Sequence, residues 1–166
     1  MRYLVLFLAL WSASSFAADN HCAATEQVVF SCRLSKSSKV ASICASPTLA
    51  KSEEKLAYRF GVPGKPEFEF PSPGGGAPEQ FRLAHYSRYQ TERIELSFDH
   101  EKFSYTVFDY YEGDQKPPVT RGVRVMPSDG KGREIELRCA GQAISSLAKL
   151  EGIVPCDAEN ALAVCN

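Results

Sequence analysis

The sequence predicts a mainly β protein, an antiparallel β-sandwich or curved sheet of about eight strands with one C-terminal helix, stapled by disulfides. Three observations lead to this prediction. Apolar and polar residues alternate with a period of two through the middle of the chain, and turn-forming residues separate the alternating runs. A helical spacing is present only after Gly141. Six cysteines follow an apolar N-terminal segment, which is typical of an exported, disulfide-bonded protein.

The first two predicted strands form a hairpin. Residues 28–34 alternate, residues 35–39 have the composition of a turn, and residues 40–45 return. Further strands are predicted where aromatic and β-branched residues alternate, at 56–60, 67–70, 93–98, 103–111, 119–126 and 133–139. The pattern between Phe81 and Tyr89 is ambiguous.

The helix is predicted after the last strand. Its apolar positions fall at helical spacing, at Ala143, Ile144, Leu147 and Ala148, and Gly152 ends the run. The Pro/Gly-rich stretch 63–78 is predicted to be a long surface loop within one domain, because the strands that precede it are too few to form a core of their own.

The N-terminus has the pattern of a secretory signal peptide over residues 1–17. Arg2 precedes the apolar run from Tyr3 to Trp11, and small residues precede a cleavage site expected after Ala17. The apolar run is too short to span a membrane, which takes about 20 residues. We therefore expect one domain, residues 18–166, in the periplasm or secreted, with no membrane anchor.

All six cysteines are expected to be in disulfides, because free thiols are unusual in an oxidising compartment. Cys32 and Cys44 lie at similar distances from the predicted turn, so we expect them to pair across the first hairpin. Cys139 and Cys22 would then pair with the tail residues Cys156 and Cys165. An alternative pairs Cys156 with Cys165 and Cys22 with Cys139.

The residues that carry catalysis or bind metals are few. The three histidines, His21, His85 and His100, lack the spacing of zinc ligands, and no Cys-x-x-Cys is present. His100 stands between two acidic residues, but adjacent turn residues point in different directions, which indicates a solvated turn. We predict no catalytic residue, no metal and no cofactor. The 19 basic and 20 acidic residues are interspersed, which gives no reason to expect a nucleic-acid partner.

One loop is predicted to bind a protein partner. Tyr110 and Tyr111 end a strand, and the following loop carries Lys116, Pro117 and Pro118. Tyrosine supplies contact area at low entropic cost, and two prolines restrict the backbone. A second candidate is the basic hairpin, residues 33–39, although lysines there also protect a sheet edge.

The function that these features favour is an exported, non-enzymatic binding protein. It would act on another protein in the cell envelope or outside the cell, as an inhibitor or an immunity-type protein does. The alternative is a small secreted hydrolase acting on cell-wall carbohydrate. Such an enzyme needs two carboxylates that meet, and the candidates are Glu67, Glu69, Asp99, Glu101 and Asp109. The two functions differ in whether the fold presents a pocket with converging titratable groups or a protruding aromatic loop.

Overall fold

The structure is a computed structural model that describes residues 19–48, 55–72 and 74–165. The predicted signal peptide lies outside these ranges. The strands are β1 (Gln27–Arg33), β2 (Val40–Ala45), β3 (Leu56–Val62), β4 (Lys65–Phe70), β5 (Arg82–Arg88), β6 (Thr91–His100), β7 (Phe103–Glu112), β8 (Val119–Pro127), β9 (Ile135–Arg138) and β10 (Ile144–Ser145). Short 3-10 helices span Pro78–Gln80 and Leu147–Leu150.

The strands form two antiparallel five-stranded sheets that pack as a sandwich. The first sheet has the order β10-β1-β2-β3-β4 and the second has the order β5-β6-β7-β8-β9. The two sheets meet at one corner, where Leu34 bridges Cys139 and a disulfide joins Cys32 to Cys139. The mainly β, two-sheet part of the fold prediction is confirmed.

The core lies between the two sheets, where the alternating apolar residues face inward as a period of two requires. Phe98 is at its centre and stacks on Phe70 at 4.3 Å and on Tyr105 at 4.9 Å between ring centroids. Phe81 meets the same ring edge to face at 5.5 Å. Offset and edge contacts of this kind contribute about 0.5–1.5 kcal/mol each beyond burial of their area.

The N-terminal segment crosses the outer face of the first sheet. A disulfide ties Cys22 to Cys44, and the backbone N–H of His21 donates to Ser42 Oγ at 3.1 Å. Beneath this segment Arg59, only 8% exposed, donates to both carboxylate oxygens of Glu26, at 2.5 and 3.0 Å. It also donates from Nε to Glu69 Oε1 at 2.9 Å. The covering segment explains why this polar residue is buried.

The environment of Glu26 shifts its pKa downward. Burial raises the pKa of the carboxyl, but hydrogen bonds from Arg59 and from the backbone N–H of Ala23, together with the positive charge of Arg59, lower it by more. The pKa of Glu26 therefore lies below its ordinary value, and the charged carboxylate stabilises the folded protein.

The C-terminal segment covers part of the second sheet in a similar way. Leu83 N–H donates to Pro155 C=O at 2.8 Å, and Asp157 N–H donates to Leu83 C=O at 2.9 Å. Asn160 then donates from Nδ2 to Glu95 Oε2 on the outer face at 2.7 Å. A disulfide between Cys156 and Cys165 closes this segment.

The predicted C-terminal helix is not confirmed. Ile144 instead pairs with Ser31 in β10, and Ser146 N–H donates to Val29 C=O at 2.7 Å. Leu147, one of the positions that predicted the helix, is buried together with Leu150 in a single 3-10 turn. Ala148, another of these positions, lies in the same four-residue turn, which does not extend into an α-helix.

The disulfide pairing predicted for the first hairpin is wrong, although the hairpin itself is present. Cys32 lies opposite Ala41, and Cys44 lies opposite Val28 beyond a register shift. Cys44 therefore lies three residues from the partner of Cys32 on β2. Because this number is odd, the two cysteine side chains point to opposite faces of the sheet. The bridges are Cys22–Cys44, Cys32–Cys139 and Cys156–Cys165.

The remaining predictions about the cysteines are confirmed in part. The alternative pairing of the two tail cysteines is confirmed. The bridges predicted for Cys22 with Cys139 or a tail cysteine, and for Cys139 with a tail cysteine, are wrong. All six cysteines are in disulfides, as expected.

The three disulfides indicate an oxidising, non-cytoplasmic compartment. Among the described residues, no helix is long and apolar enough to cross a membrane.

Candidate functional site

The predicted partner-binding loop lies at one end of the second sheet. Residues 113–118 connect β7 to β8, and every residue of this connection is exposed. The loop begins where Glu112 N–H donates to Pro118 C=O at 2.7 Å, and Gln115 N–H donates to Glu112 C=O at 3.0 Å. Arg93 Nε donates a hydrogen bond to Glu112 Oε1 at 2.8 Å. These contacts, together with two prolines, restrict the loop before any partner binds.

The two tyrosines that precede the loop have different roles, because adjacent residues on a strand face opposite sides. Tyr110 is partly buried on the outer face, where its hydroxyl donates to Glu95 and accepts from Arg124 Nη2 at 2.8 Å. Burial and the hydrogen bond to the negative Glu95 raise the pKa of Tyr110. The guanidinium of Arg93 lies 5.6 Å from the ring centroid. Tyr110 therefore belongs to a structural polar network and is not free to contact a partner.

Tyr111 points the other way and is 43% exposed. A second exposed tyrosine lies on the neighbouring turn, between β5 and β6. Tyr89 is 88% exposed, and its neighbour Gln90 accepts a hydrogen bond from Gly113 N–H at 2.9 Å. The backbone thus ties the two loops together. We call the five residues Tyr89, Tyr111, Lys116, Pro117 and Pro118 the loop-tip surface.

A shallow hollow of about 370 Å³ lies between these two loops. Its walls include Arg88 and Arg93 on one side and Glu112 and Asp114 on the other. Tyr89 also lines this hollow, so charged groups of both signs lie beside its exposed ring. Such a mixture of aromatic anchors and a charged rim is common at protein interfaces.

Tyr89 is the residue that sequence reasoning missed. Residues 81–89 gave an ambiguous pattern because β5 is buried only at Leu83 and Ala84 and is partly or fully exposed elsewhere. The signal that was present is the two-residue connection between β5 and β6, since a hairpin turn places its central residues at the surface.

A cavity of about 520 Å³ opens beside β5 and contains titratable groups. His85 Nδ1 lies 3.2 Å from Glu151 Oε2, and His85 Nε2 lies 3.1 Å from Glu92 Oε1. Each imidazole nitrogen is therefore engaged by a carboxylate of the same chain. A general base must reach a substrate proton through such a nitrogen, so this arrangement does not favour catalysis by His85. The cluster is a hydrogen-bonded bridge between β5, β6 and the C-terminal segment.

The carboxylates considered for glycoside cleavage do not converge. Glu67 pairs with Lys39 at 2.7 Å, and Glu69 pairs with Arg59. On the other sheet Asp99 pairs with Arg82 at 2.7 Å, and Asp109 pairs with Arg121 at 2.8 Å. Glu101 is exposed in a turn, with His100 at 3.9 Å. Each of the first four carboxylates thus has a cationic partner of its own, and none of them faces another across a cleft.

The basic hairpin is a weaker binding candidate than the loop-tip surface. Arg33 forms an ion pair with Asp19, and Lys39 is engaged by Glu67 and lies 5.1 Å above the Phe60 ring. Two of its three positive charges are therefore used within the fold. Lys36, at the turn, is exposed.

The described residues contain one group with the proximity of metal ligands, formed by Cys22, Glu26 and Cys44. Both cysteines are oxidised in a disulfide, and the Glu26 carboxylate is held by Arg59. A metal ligand must offer a free thiolate or carboxylate lone pair, so this group does not fit a metal ion.

Comparison with known proteins does not add to the geometry. No protein-family model matches the chain, and no curated protein or solved structure matches it significantly.

Proposed function

We propose that the chain is an exported, non-enzymatic binding protein that contacts a protein partner through the loop-tip surface. The single observation that carries this proposal is the pair of exposed tyrosines, Tyr89 and Tyr111, on two loops joined by a backbone hydrogen bond. Large rings held at the tips of restricted loops bind at low entropic cost, and residues of this type dominate the energy of many interfaces.

The compartment supports the same function. A protein stapled by three disulfides persists in the periplasm or outside the cell, where its partners are envelope or extracellular proteins. Blocking another enzyme, as an inhibitor or immunity-type protein does, requires a protruding, preorganised surface of this kind. The alternative of a carbohydrate hydrolase has less support, because His85 is engaged at both nitrogens and the candidate carboxylates are paired with cations.

The test begins with photo-crosslinking from position 89 in the envelope fraction of the source cells. The captured partner is then purified, and its affinity is measured for Tyr89→Ala, Tyr111→Ala and the double variant. We expect the double variant to weaken binding by at least about 2 kcal/mol, or about 30-fold in Kd. The thermal unfolding of each variant is checked first.

The matched control is Phe103→Ala. Phe103 is 42% exposed, close to Tyr111 in exposure, but it lies at the opposite end of β7. Affinity should not change in this variant. If the double tyrosine variant remains folded and binds as the unmodified protein does, the loop-tip surface is not the binding site.

A further inference from the structure

The outer edge of β5 is only partly covered. The backbone of Leu83 pairs with the C-terminal segment through Pro155 and Asp157, in a parallel bridge. Backbone groups alternate in direction along a strand, so the N–H and C=O of His85 and Ser87 point outward on the same side as those of Leu83. Within the described part of the chain, no backbone group pairs with these two residues on that side. The edge of β5 is therefore paired at Leu83 and open at His85 and Ser87.

Two other sheet edges are less suited to pairing. On β4 the edge carries Pro66, which has no backbone N–H to donate. At the far edge of the second sheet, in the short strand β9, Arg138 C=O accepts from Ser35 N–H at 2.7 Å. The open part of β5, in contrast, offers both donors and acceptors to an added strand.

The 520 Å³ cavity lies beside this open edge and has an acidic rim with apolar walls. Glu79 and Glu151 contribute the carboxylates, and Ile153 and Val164 contribute apolar surface. Glu79 has no hydrogen bond or ion pair among the described residues, and Val164 is 61% exposed. A long basic side chain fits both features, because its stem is apolar and its head is a cation.

We propose that an extended segment of a partner protein adds to β5 as a further strand at His85 and Ser87 and places a Lys or Arg side chain in this cavity. Main-chain hydrogen bonds to the edge supply affinity, and the pocket for one side chain supplies specificity, as in other cases of strand addition. This contact uses none of the loop-tip residues, so it holds or fails independently of the function proposed above.

The probe is a fluorescein-labelled synthetic peptide of alternating lysine and valine residues, titrated with the full mature protein. We expect saturable binding below about 1 mM and slower amide hydrogen exchange at His85 and Ser87 in the complex. A peptide N-methylated at alternate residues lacks the donors that pair with the edge and should not bind. Binding that survives this methylation, or that leaves exchange at these amides unchanged, overturns the strand addition.

Charge variants test the cavity. Glu79→Gln and Glu151→Gln should each weaken peptide binding about threefold to fivefold, the range for a partly exposed ion pair. The glutamine at position 151 can still hydrogen-bond His85, so the fold is preserved. Glu134→Gln, an equally exposed carboxylate just before β9 at the opposite edge of the same sheet, is the control and should bind as the unmodified protein does. Equal effects of all three substitutions would overturn the cavity as the site of the basic side chain.

Discussion

Removal of the Cys32–Cys139 disulfide should destabilise the protein more than removal of either other bridge. This bridge joins the first sheet to the second and links residues 107 positions apart. The Cys22–Cys44 bridge spans 22 positions and the Cys156–Cys165 bridge spans 9. A longer closed loop removes more freedom from the unfolded chain, so the ranking of the three follows from these separations.

The loop-entropy relation gives the expected magnitudes. At 25 °C it yields about 4.8 kcal/mol for Cys32–Cys139, about 3.4 kcal/mol for Cys22–Cys44 and about 2.6 kcal/mol for Cys156–Cys165. Cys32 is also buried in the core, so its replacement by alanine removes some packing as well as the bridge. That loss acts in the same direction and increases the separation between the first value and the others.

The assay is urea unfolding of three double Cys→Ala variants, each lacking one complete bridge. The midpoint should fall most for Cys32/Cys139 and least for Cys156/Cys165. The slope m should rise most for Cys32/Cys139, because its unfolded chain expands most. If the Cys32/Cys139 variant loses no more free energy of unfolding than the Cys156/Cys165 variant, then the assignment of the inter-sheet bridge or the entropic argument is wrong.

Three further substitutions test other parts of the structure. Glu26→Gln should reduce the loss of stability in acid. The lowered pKa of the Glu26 carboxyl stabilises the fold fully above its ordinary pKa of 4.5, and this stabilisation is lost as the pH falls through the lower pKa of the folded state. Chemical unfolding at several pH values measures the effect, and an unchanged pH dependence contradicts it. Gly122→Ala should cost about 1–3 kcal/mol, since the new Cβ would collide with the backbone oxygen of Leu137 on β9 and lie 2.8 Å from Phe108 Cζ. An unchanged Tm would contradict this clash. Tyr110→Phe should lower the free energy of unfolding by about 1 kcal/mol, because it removes the hydroxyl that donates to buried Glu95, and it should not reduce partner affinity. A loss of affinity in this variant would place Tyr110 at the interface.

Most of the strands were predictable because a period of two survives in them, whereas β5 gave an ambiguous pattern and the two-residue β10 was not predicted. In β6 the alternating residues Ile94, Leu96 and Phe98 all face the core, as burial of one face requires. The spacing of three residues from Ile144 to Leu147, on which the helix prediction partly rests, does not by itself separate an α-helix from a short strand followed by one 3-10 turn. Pairing of Ile144 with β1 then decides the outcome, and this contact spans more than one hundred residues of sequence.

The disulfide connectivity was not predictable from distances along the sequence. The register of the hairpin places Cys32 opposite Ala41, three residues before Cys44 on β2, and the composition of the turn does not reveal this register. Cys139 lies near Cys32 only because the two sheets meet at one corner. The arrangement of sheets is a tertiary property, and six cysteines alone leave many pairings open.

The candidate site was predictable in part. Alternation along β7 already implies that Tyr110 and Tyr111 lie on opposite faces of the sheet, and the structure shows that Tyr111 is the exposed one. The sequence does not reveal that Tyr110 is held by Glu95 and Arg124, since these residues come from β6 and β8. It also does not reveal that Gly113 binds Gln90 and so brings Tyr89 beside the loop.

The positions of both proposed contacts follow from how the chain termini are used. The N-terminal segment covers the outer face of the first sheet around Arg59, and the C-terminal segment reaches Glu95 on the outer face of the second. A flat sheet face that is already covered by its own chain has fewer groups left for a partner. At the end of the sandwich Tyr89 and Tyr111 remain exposed, and along β5 the outward backbone groups of His85 and Ser87 have no backbone partner among the described residues. Because Tyr89 follows the open edge at His85 and Ser87, one partner that enters along β5 would meet this exposed tyrosine where the strand ends.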